Sequence, residues 1–335
     1  MESNSIAPPN SFRINLFCKM KNLSPKSKTL PPQALWLTAR QFADFQSGET
    51  TAHRICTDAE GWIERFGEEA LISYKTEAAR EPLLRDLRVW ADAEKWGCRR
   101  IFGKFIPKQN AERVSPVLLE GDVALPLEIT VTEAGVRYGL DFAAGYSAGL
   151  FIDQRANRAF VRRIRAKRLL NTFAYTCSFS VVAALSGAET VSVDLSKKSL
   201  DRGRENFALN ELEVTGHQFM TDDVLDVLPR LARRGEKFDC LILDPPTFSR
   251  GNKGRKFQVE HDFEALLSAA LEVSAPGARL LLSTNCTRLR RADLERIARY
   301  CLKLNRRSGA FHTEPELVDI PAGAGAQAVW LTVGG

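Results

Sequence analysis

Two hydrophobic rhythms divide the chain. From about Leu35 to Phe142 the apolar stretches are short and mixed in period. Ala52–Thr57 and Ala70–Lys75 predict strands, and Glu81–Lys95 predicts a helix with Leu83, Leu84, Leu87, Trp90 and Ala91 on one face. Leu127–Thr132 and Val136–Leu140 flank Glu133-Ala134-Gly135, which predicts a hairpin whose glycine supplies the unusual φ. From about Gly145 apolar strands alternate with helical stretches. The strands are Leu169–Phe173, Thr190–Asp194, His217–Met220, Phe238–Asp244, Arg279–Thr284 and Ala326–Val333. The helices are Ser178–Leu185, Lys197–Leu209, Val224–Arg233, Phe257–Leu271 and Ala292–Leu304. Strictly alternating elements predict a doubly wound, parallel α/β sheet over residues 143–335. A small α+β domain over 35–142 is expected to precede it. The last strand has room to insert antiparallel.

Composition narrows the class. With 335 residues, 44% of them hydrophobic, the chain can bury a substantial core. No apolar run reaches the length of a membrane span, so a soluble protein is expected. The seven cysteines form no Cys-x-x-Cys pair and the four histidines are scattered. Neither a zinc site nor a disulfide framework is expected, and a reducing, cytoplasmic compartment suits the chain. A net charge of +6 suits a polyanionic partner without proving one. Residues 1–33 are rich in Ser, Asn, Pro and Lys with one acid, Glu2. This basic leader reads first as a disordered tail, or as sequence upstream of a start at Met20. An organelle transit peptide is the alternative.

Candidate chemistry gathers at the ends of the later strands. Leu241-Ile242-Leu243 is a buried strand stopped by Asp244-Pro245-Pro246-Thr247-Phe248. Two prolines end sheet pairing and force an extended turn. In an open α/β sheet, ligands bind beyond the carboxyl ends of the strands, so this turn is placed to hold a planar substrate. The first strand of this half runs into Asn171-Thr172-Phe173-Ala174-Tyr175-Thr176-Cys177-Ser178, and no glycine lies between Gly149 and Gly187. A dinucleotide pyrophosphate, which needs close backbone approach at glycines, is therefore not expected. Asp194, followed by Leu195, ends the second strand, where a carboxylate can accept from both hydroxyls of a ribose. Asp223 follows the third strand, where it can accept from an adenine amine or cap the next helix. Ribose acid, adenine acid and Asp-Pro-Pro on successive strands describe a nucleoside cofactor without phosphates.

These motifs resemble the class I S-adenosylmethionine-dependent methyltransferases. More closely, they resemble the bacterial large-subunit ribosomal RNA methyltransferases that modify cytosine C5 or guanine N7. Gly149–Arg155, Asn171–Thr176, Val193–Ser196, Asp222–Val224 and Asp244–Ser249 carry the likeness. The resemblance implies a Rossmann-like sheet, S-adenosyl-L-methionine as cofactor and RNA as partner. It implies that Asp194 holds the ribose and Asp223 the adenine. It further implies that Arg155 reaches the methionine end, and that the loop with Asn171, Phe173, Tyr175 and Thr176 wraps the methionine. Cys177 stands where such enzymes usually have glycine, and its side chain is expected to narrow the pocket or move the loop.

The acceptor is less determined. A sulfonium is already electrophilic, so placement carries much of the catalysis. A base nitrogen with a lone pair needs only that, whereas cytosine C5 needs a thiolate to add first at C6. The C5 relatives place a cysteine after the fifth strand. Here Asn285 takes that register and Cys286 follows one residue later, which favours a nitrogen. Asp244, Pro245, Pro246 and Thr247 would then position the acceptor. Phe248 and the basic Arg250, Lys253, Arg255 and Lys256 are expected to meet the base and the phosphates around it. A second basic cluster from Arg155 to Arg168 reads as an exposed helix raising the local field. Two alternatives stand. One is a methyltransferase acting on protein or a small molecule, and the other an RNA-binding protein that has lost cofactor binding.

Overall fold

The computed structural model describes residues 34–107, 114–251 and 254–334; the leader 1–33 and Lys253 lie outside them. The chain opens with β1 (Leu35–Trp36), α1 (Ala39–Ser47), β2 (Ala52–Asp58), β3 (Gly61–Phe66), β4 (Glu69–Tyr74), α2 (Glu77–Ala93), β5 (Arg100–Phe105) and β6 (Val117–Gly121). These strands form a six-stranded sheet in sequential order, parallel only between β4 and β5. One face buries Ile55, Ile63, Ile72 and Ile101 beneath Phe42 of α1 and Leu83, Leu87 and Trp90 of α2.

Strand β3 escapes a hydropathy reading because Glu64 and Arg65 interrupt it. Both are buried. Glu64 is held by Arg54 at 3.3 Å across the β2–β3 ladder, and Arg65 Nε donates to the Gly67 carbonyl. The expected hairpin forms as β7 (Glu128–Glu133) and β8 (Val136–Asp141), with Ala134 and Gly135 both at positive φ.

A 3-10 turn, Ile152–Gln154, leads into α3 (Arg155–Ile164), β9 (Arg168–Thr172), α4 (Ser178–Ala184), β10 (Glu189–Asp194), α5 (Lys197–Leu209), β11 (Gln218–Thr221), α6 (Val224–Arg233) and β12 (Phe238–Leu243). A small hairpin, β13 (Phe248–Arg250) and β14 (Lys256–Gln258), precedes α7 (Val259–Val273), β15 (Ser274–Thr284), α8 (Arg291–Leu304), β16 (Gly309–His312) and β17 (Gln327–Val333). The seven-stranded sheet runs β11-β10-β9-β12-β15-β17-β16. It is parallel from β11 to β15, and β17 inserts antiparallel between β15 and β16. Side chains alternate between two apolar layers. Leu169, Ile242, Leu281 and Trp330 face one layer, and Leu170, Leu241, Leu243, Leu280, Leu282 and Leu331 face the other. Strands so buried on both faces read as continuous apolar runs, which made them legible.

The two sheets share a core. Phe66, Leu71 and Phe102 of the small sheet belong to the same hydrophobic cluster as Phe142, Val161 and Trp330, and Phe102 stacks on Phe142 at 4.0 Å. Arg162, Arg163, Arg165 and Lys167 of the Arg155–Arg168 cluster are exposed as expected, but the cluster is not wholly a free face. Arg158 is buried against Glu133, Arg155 pairs with Asp319, and Arg163 and Arg168 pair with Glu314 and Glu236.

Candidate active site

The strand order reverses between β9 and β12, and a cavity of about 400 Å³ opens at the carboxyl edge there. That volume is within the range of small-ligand pockets, about 300–1,000 Å³. A second hollow, about 510 Å³, lies between the start of α8 and the 313–328 segment and shares Asp153 with the first. It contains none of the carboxylates that end β10, β11 and β12, so the chemistry belongs to the smaller cavity.

Each strand delivers one group to that cavity. Asp194, at the tip of β10, accepts from Tyr175 N and from Ser196 N, both at 2.8 Å. Burial raises its pKa, and the two backbone donors oppose the shift. Each oxygen spends one lone-pair direction on the protein and keeps another for a ligand hydroxyl. Asp223 caps α6 through Leu225 N at 2.9 Å, so the capping role foreseen for it is real. Its other oxygen faces Arg255 Nη1 at 3.5 Å. Asp244 follows β12 and receives Gln154 Nε2 at 3.1 Å, while the same amide nitrogen donates to Ser283 Oγ at 2.8 Å. Burial pushes the Asp244 carboxyl up to about 6, with nearby Asp153 adding to the rise.

The loop after β9 is shaped without glycine. Phe173, Tyr175 and Cys177 take φ of 53°, 47° and 59°. L-residues are uncommon in this left-handed region, so the surroundings must hold the loop. They do so through polar stitches. Tyr175 Oη donates to the Ser147 carbonyl at 2.7 Å, Thr176 Oγ1 to the Gly149 carbonyl at 2.6 Å, and Asn171 Nδ2 to Ser180 Oγ at 3.0 Å. Absence of glycine therefore does not exclude the backbone geometry that glycine usually supplies.

Cys177 does not narrow the cavity. Its side chain is fully buried and packs into the space left by Gly203 of α5, where an added Cβ would lie 2.4 Å from its sulfur. The loop keeps its place because α5 gives way. Gly203→Ala is accordingly expected to cost about 1–3 kcal/mol by overpacking. Adding Cys177→Gly should restore most of that loss, as chemical denaturation of the single and double variants would register. A double variant no more stable than Gly203→Ala would contradict the pairing.

A family model for S-adenosylmethionine-dependent methyltransferases matches residues 83–332, a span that holds every carboxylate of the cavity. The chain belongs to the S-adenosylmethionine-dependent methyltransferases. S-adenosylmethionine is its cofactor, and the cavity fits it: four carboxylates, Asp153, Asp194, Asp223 and Asp244, line a pocket for a ligand carrying two positive groups. Over 189 residues this methyltransferase is 36% identical to ribosomal RNA large subunit methyltransferase I of Erwinia tasmaniensis, covering 56% of this chain and 47% of that protein. It is 42% identical over 163 residues to ribosomal RNA large subunit methyltransferase K/L of a Psychrobacter species, covering 47% of this chain and 20% of that one. The chain thus spans less than half the length of these curated relatives. A SAM-dependent methyltransferase from Agrobacterium tumefaciens superimposes with a TM-score of 0.65 at 22% identity, over 84% of this chain and 89% of that one. SMU.776, crystallised with SAH, superimposes at 0.73 with 24% identity, over 89% and 82%. These two likenesses carry the fold alone.

Most of the expected residues meet in the methyltransferase cavity. Asn171, Phe173, Tyr175, Asp194, Leu195, Asp223, Asp244, Pro245, Pro246 and Arg255 line it. Thr176 stands behind it, buried on the Gly149 carbonyl. Arg155 is not on its wall; the guanidinium turns to Asp319 and stacks over Phe45 at 4.9 Å. Thr247, Phe248, Arg250 and Lys256 are exposed outside the cavity. Arg255 is tied to Asp226 at 2.9 Å as well as to Asp223, so this exposed side chain is paired at the edge of the cavity. Lys253 lies outside the described residues. Sequence reasoning missed Asp153, Gln154, Arg158, Phe179 and Phe257, all on the wall. A signal existed for two of them: Gln154 and Arg158 fall at helical spacing with Val161 on the buried stripe of α3.

After β15 the two neighbours part company. Asn285 is exposed on the cavity wall. Cys286 is 3% exposed, its sulfur 3.4 Å from Glu260 Oε1, and it belongs to the apolar layer under α7 and α8. Burial raises its thiol pKa, and the bond to Glu260 raises it further. Among the described residues, no group of three His, Cys, Asp or Glu could hold a metal ion, and no helix is long and apolar enough to cross a membrane.

Proposed function

We propose that this methyltransferase modifies a base of RNA, with large-subunit ribosomal RNA the class named in its relatives, and that the acceptor is a base nitrogen rather than cytosine C5. The observation that carries the choice of atom is the side-chain split after β15. A C5 reaction needs a thiolate within reach of the acceptor ring. Asn285 faces the cavity, while Cys286 is withdrawn behind it, where burial raises its thiol pKa. The Asp244-Pro245-Pro246 turn supplies carbonyl acceptors at the cavity rim, suited to fixing an amine or ring N–H in line with a methyl group. Asp244 holds both cofactor and acceptor in this scheme, and Thr247 stays at the rim.

The partner assignment draws on charge and shape. The exposed hairpin of β13 and β14 puts Phe248, Arg250 and Lys256 beside the cavity mouth. Side chains there suit stacking on a displaced base and pairing with phosphates. The net charge of +6 supports a polyanion, and the bacterial relatives support action in the cytoplasm. A unit boundary near residues 142–143 belongs to the same proposal; it divides sheets, not cores.

The test is Cys286→Ala. Turnover on the native RNA should stay within about threefold of the parent, because placement and not covalent catalysis limits a nitrogen acceptor. Loss of turnover with cofactor binding intact would establish the thiol as nucleophile.

A further inference from the structure

The methionine half of the cofactor is a zwitterion. Its ammonium and carboxylate sit on one carbon, so a site for it needs an anion and a cation side by side. The carboxylates of the cavity are plentiful, but among its described lining residues only Arg158 and Arg255 are cations. Arg255 is engaged at the cavity edge by Asp223 and Asp226. Arg158 lies at the other end, close enough to Asp153 and Asp244 for its charge to oppose the rise that burial imposes on both carboxyls.

Arg158 is built in with care. The residue is 1% exposed, and Glu133 opposite it is 4% exposed. Nε donates to Glu133 Oε1 at 2.6 Å and Nη2 to Oε2 at 2.5 Å, a bidentate fork. The guanidinium also lies 6.0 Å from the ring centre of Phe179, another residue of the cavity wall. The fork leaves Nη1 over, and the residue reaches the cavity wall. A planar guanidinium anchored along one edge can present the other to a second carboxylate at low entropic cost.

We infer that Arg158, held by Glu133 of the β7–β8 hairpin, is the recognition site for the cofactor carboxylate. The hairpin that precedes the large sheet is then part of the cofactor site. Glu133 acts through Arg158 and is a positioning residue. Arg155, three residues earlier, takes no part.

The ligand itself supplies the cleanest test. Decarboxylated S-adenosylmethionine keeps the nucleoside, sulfonium and ammonium and lacks only the carboxylate. By calorimetry the full-length wild-type protein should bind S-adenosylmethionine at least tenfold more tightly than this analogue. Equal affinities in the wild type would overturn the inference without any variant. The protein side uses Arg158→Met with Glu133→Gln, since a lone substitution would strand a buried charge. In that double variant the two ligands should bind alike, with affinity for the decarboxylated analogue unchanged within about threefold. Retained discrimination would show that another group holds the carboxylate. Equal weakening of both ligands would show that the pair is structural only.

Discussion

Replacing Asp194 by alanine is expected to weaken S-adenosylmethionine binding by about ten- to a hundredfold, with the protein still folded. Two effects act together. In the proposed role the carboxylate loses its charge-assisted hydrogen bonding to the ribose, worth about 1.5–3 kcal/mol in all, and every 1.4 kcal/mol is tenfold in affinity. The substitution also removes the acceptor for Tyr175 N, one of the bonds that hold the strained loop after β9. Asp194→Asn keeps an acceptor and should fall between the two. Calorimetric titration reads the affinity, and thermal unfolding confirms the fold. A dissociation constant unchanged in Asp194→Ala would remove this residue from the site.

Asp244→Ala is expected to lower turnover by about a hundred- to a thousandfold, the range seen when a preorganised polar group is removed from a reacting centre. Asp244 stands at the carboxyl end of β12, and Gln154 bridges it to Ser283. Its proton affinity makes the effect pH-dependent. Burial holds the folded pKa near 6, above the ordinary carboxylate value. The folded state therefore keeps a proton that the unfolded chain has released. By linkage, stability contributed by protonated Asp244 is present at low pH and is lost as pH rises from about 4 to about 6. Function is expected to run the other way, because in the proposed role the ionised form does the accepting. For the wild type, kcat/KM should climb with pH through about 6 and level off by about 7, and Asp244→Asn should flatten that limb. A wild-type profile flat from pH 5 to 7 would contradict the role.

The doubly wound half was legible because its strands are buried on both faces. Leu169–Leu170, Leu241–Leu243 and Leu280–Leu282 are unbroken apolar runs, and a carboxylate ends or follows three of the five parallel strands. Ends of elements were less legible. Phe257 reads as the first turn of a helix by hydropathy, yet it lies in β14 and packs at 5.6 Å from Phe173, closing the cavity over the loop. The small sheet was harder, because Arg54, Glu64 and Arg65 are charges inside strands and only their burial and bonding explain them. The same physics hid Arg158. A basic residue on a helix with three other arginines reads as solvated, until Glu133 from a separate hairpin is seen opposite it. Cys177 was misjudged for a related reason: the space that admits its sulfur is set by Gly203, 26 residues on in another helix.

The central claim is methyl transfer to an RNA base nitrogen at a site that offers no thiol. It is tested most directly by mapping the nucleoside formed when the purified protein, S-adenosylmethionine bearing a labelled methyl group and large-subunit ribosomal RNA are combined. Digestion and mass spectrometry should place the label on a ring or exocyclic nitrogen, and Cys286→Ala should yield the same product. Labelled 5-methylcytidine, lost in Cys286→Ala, would contradict the account and move the nucleophile to Cys286.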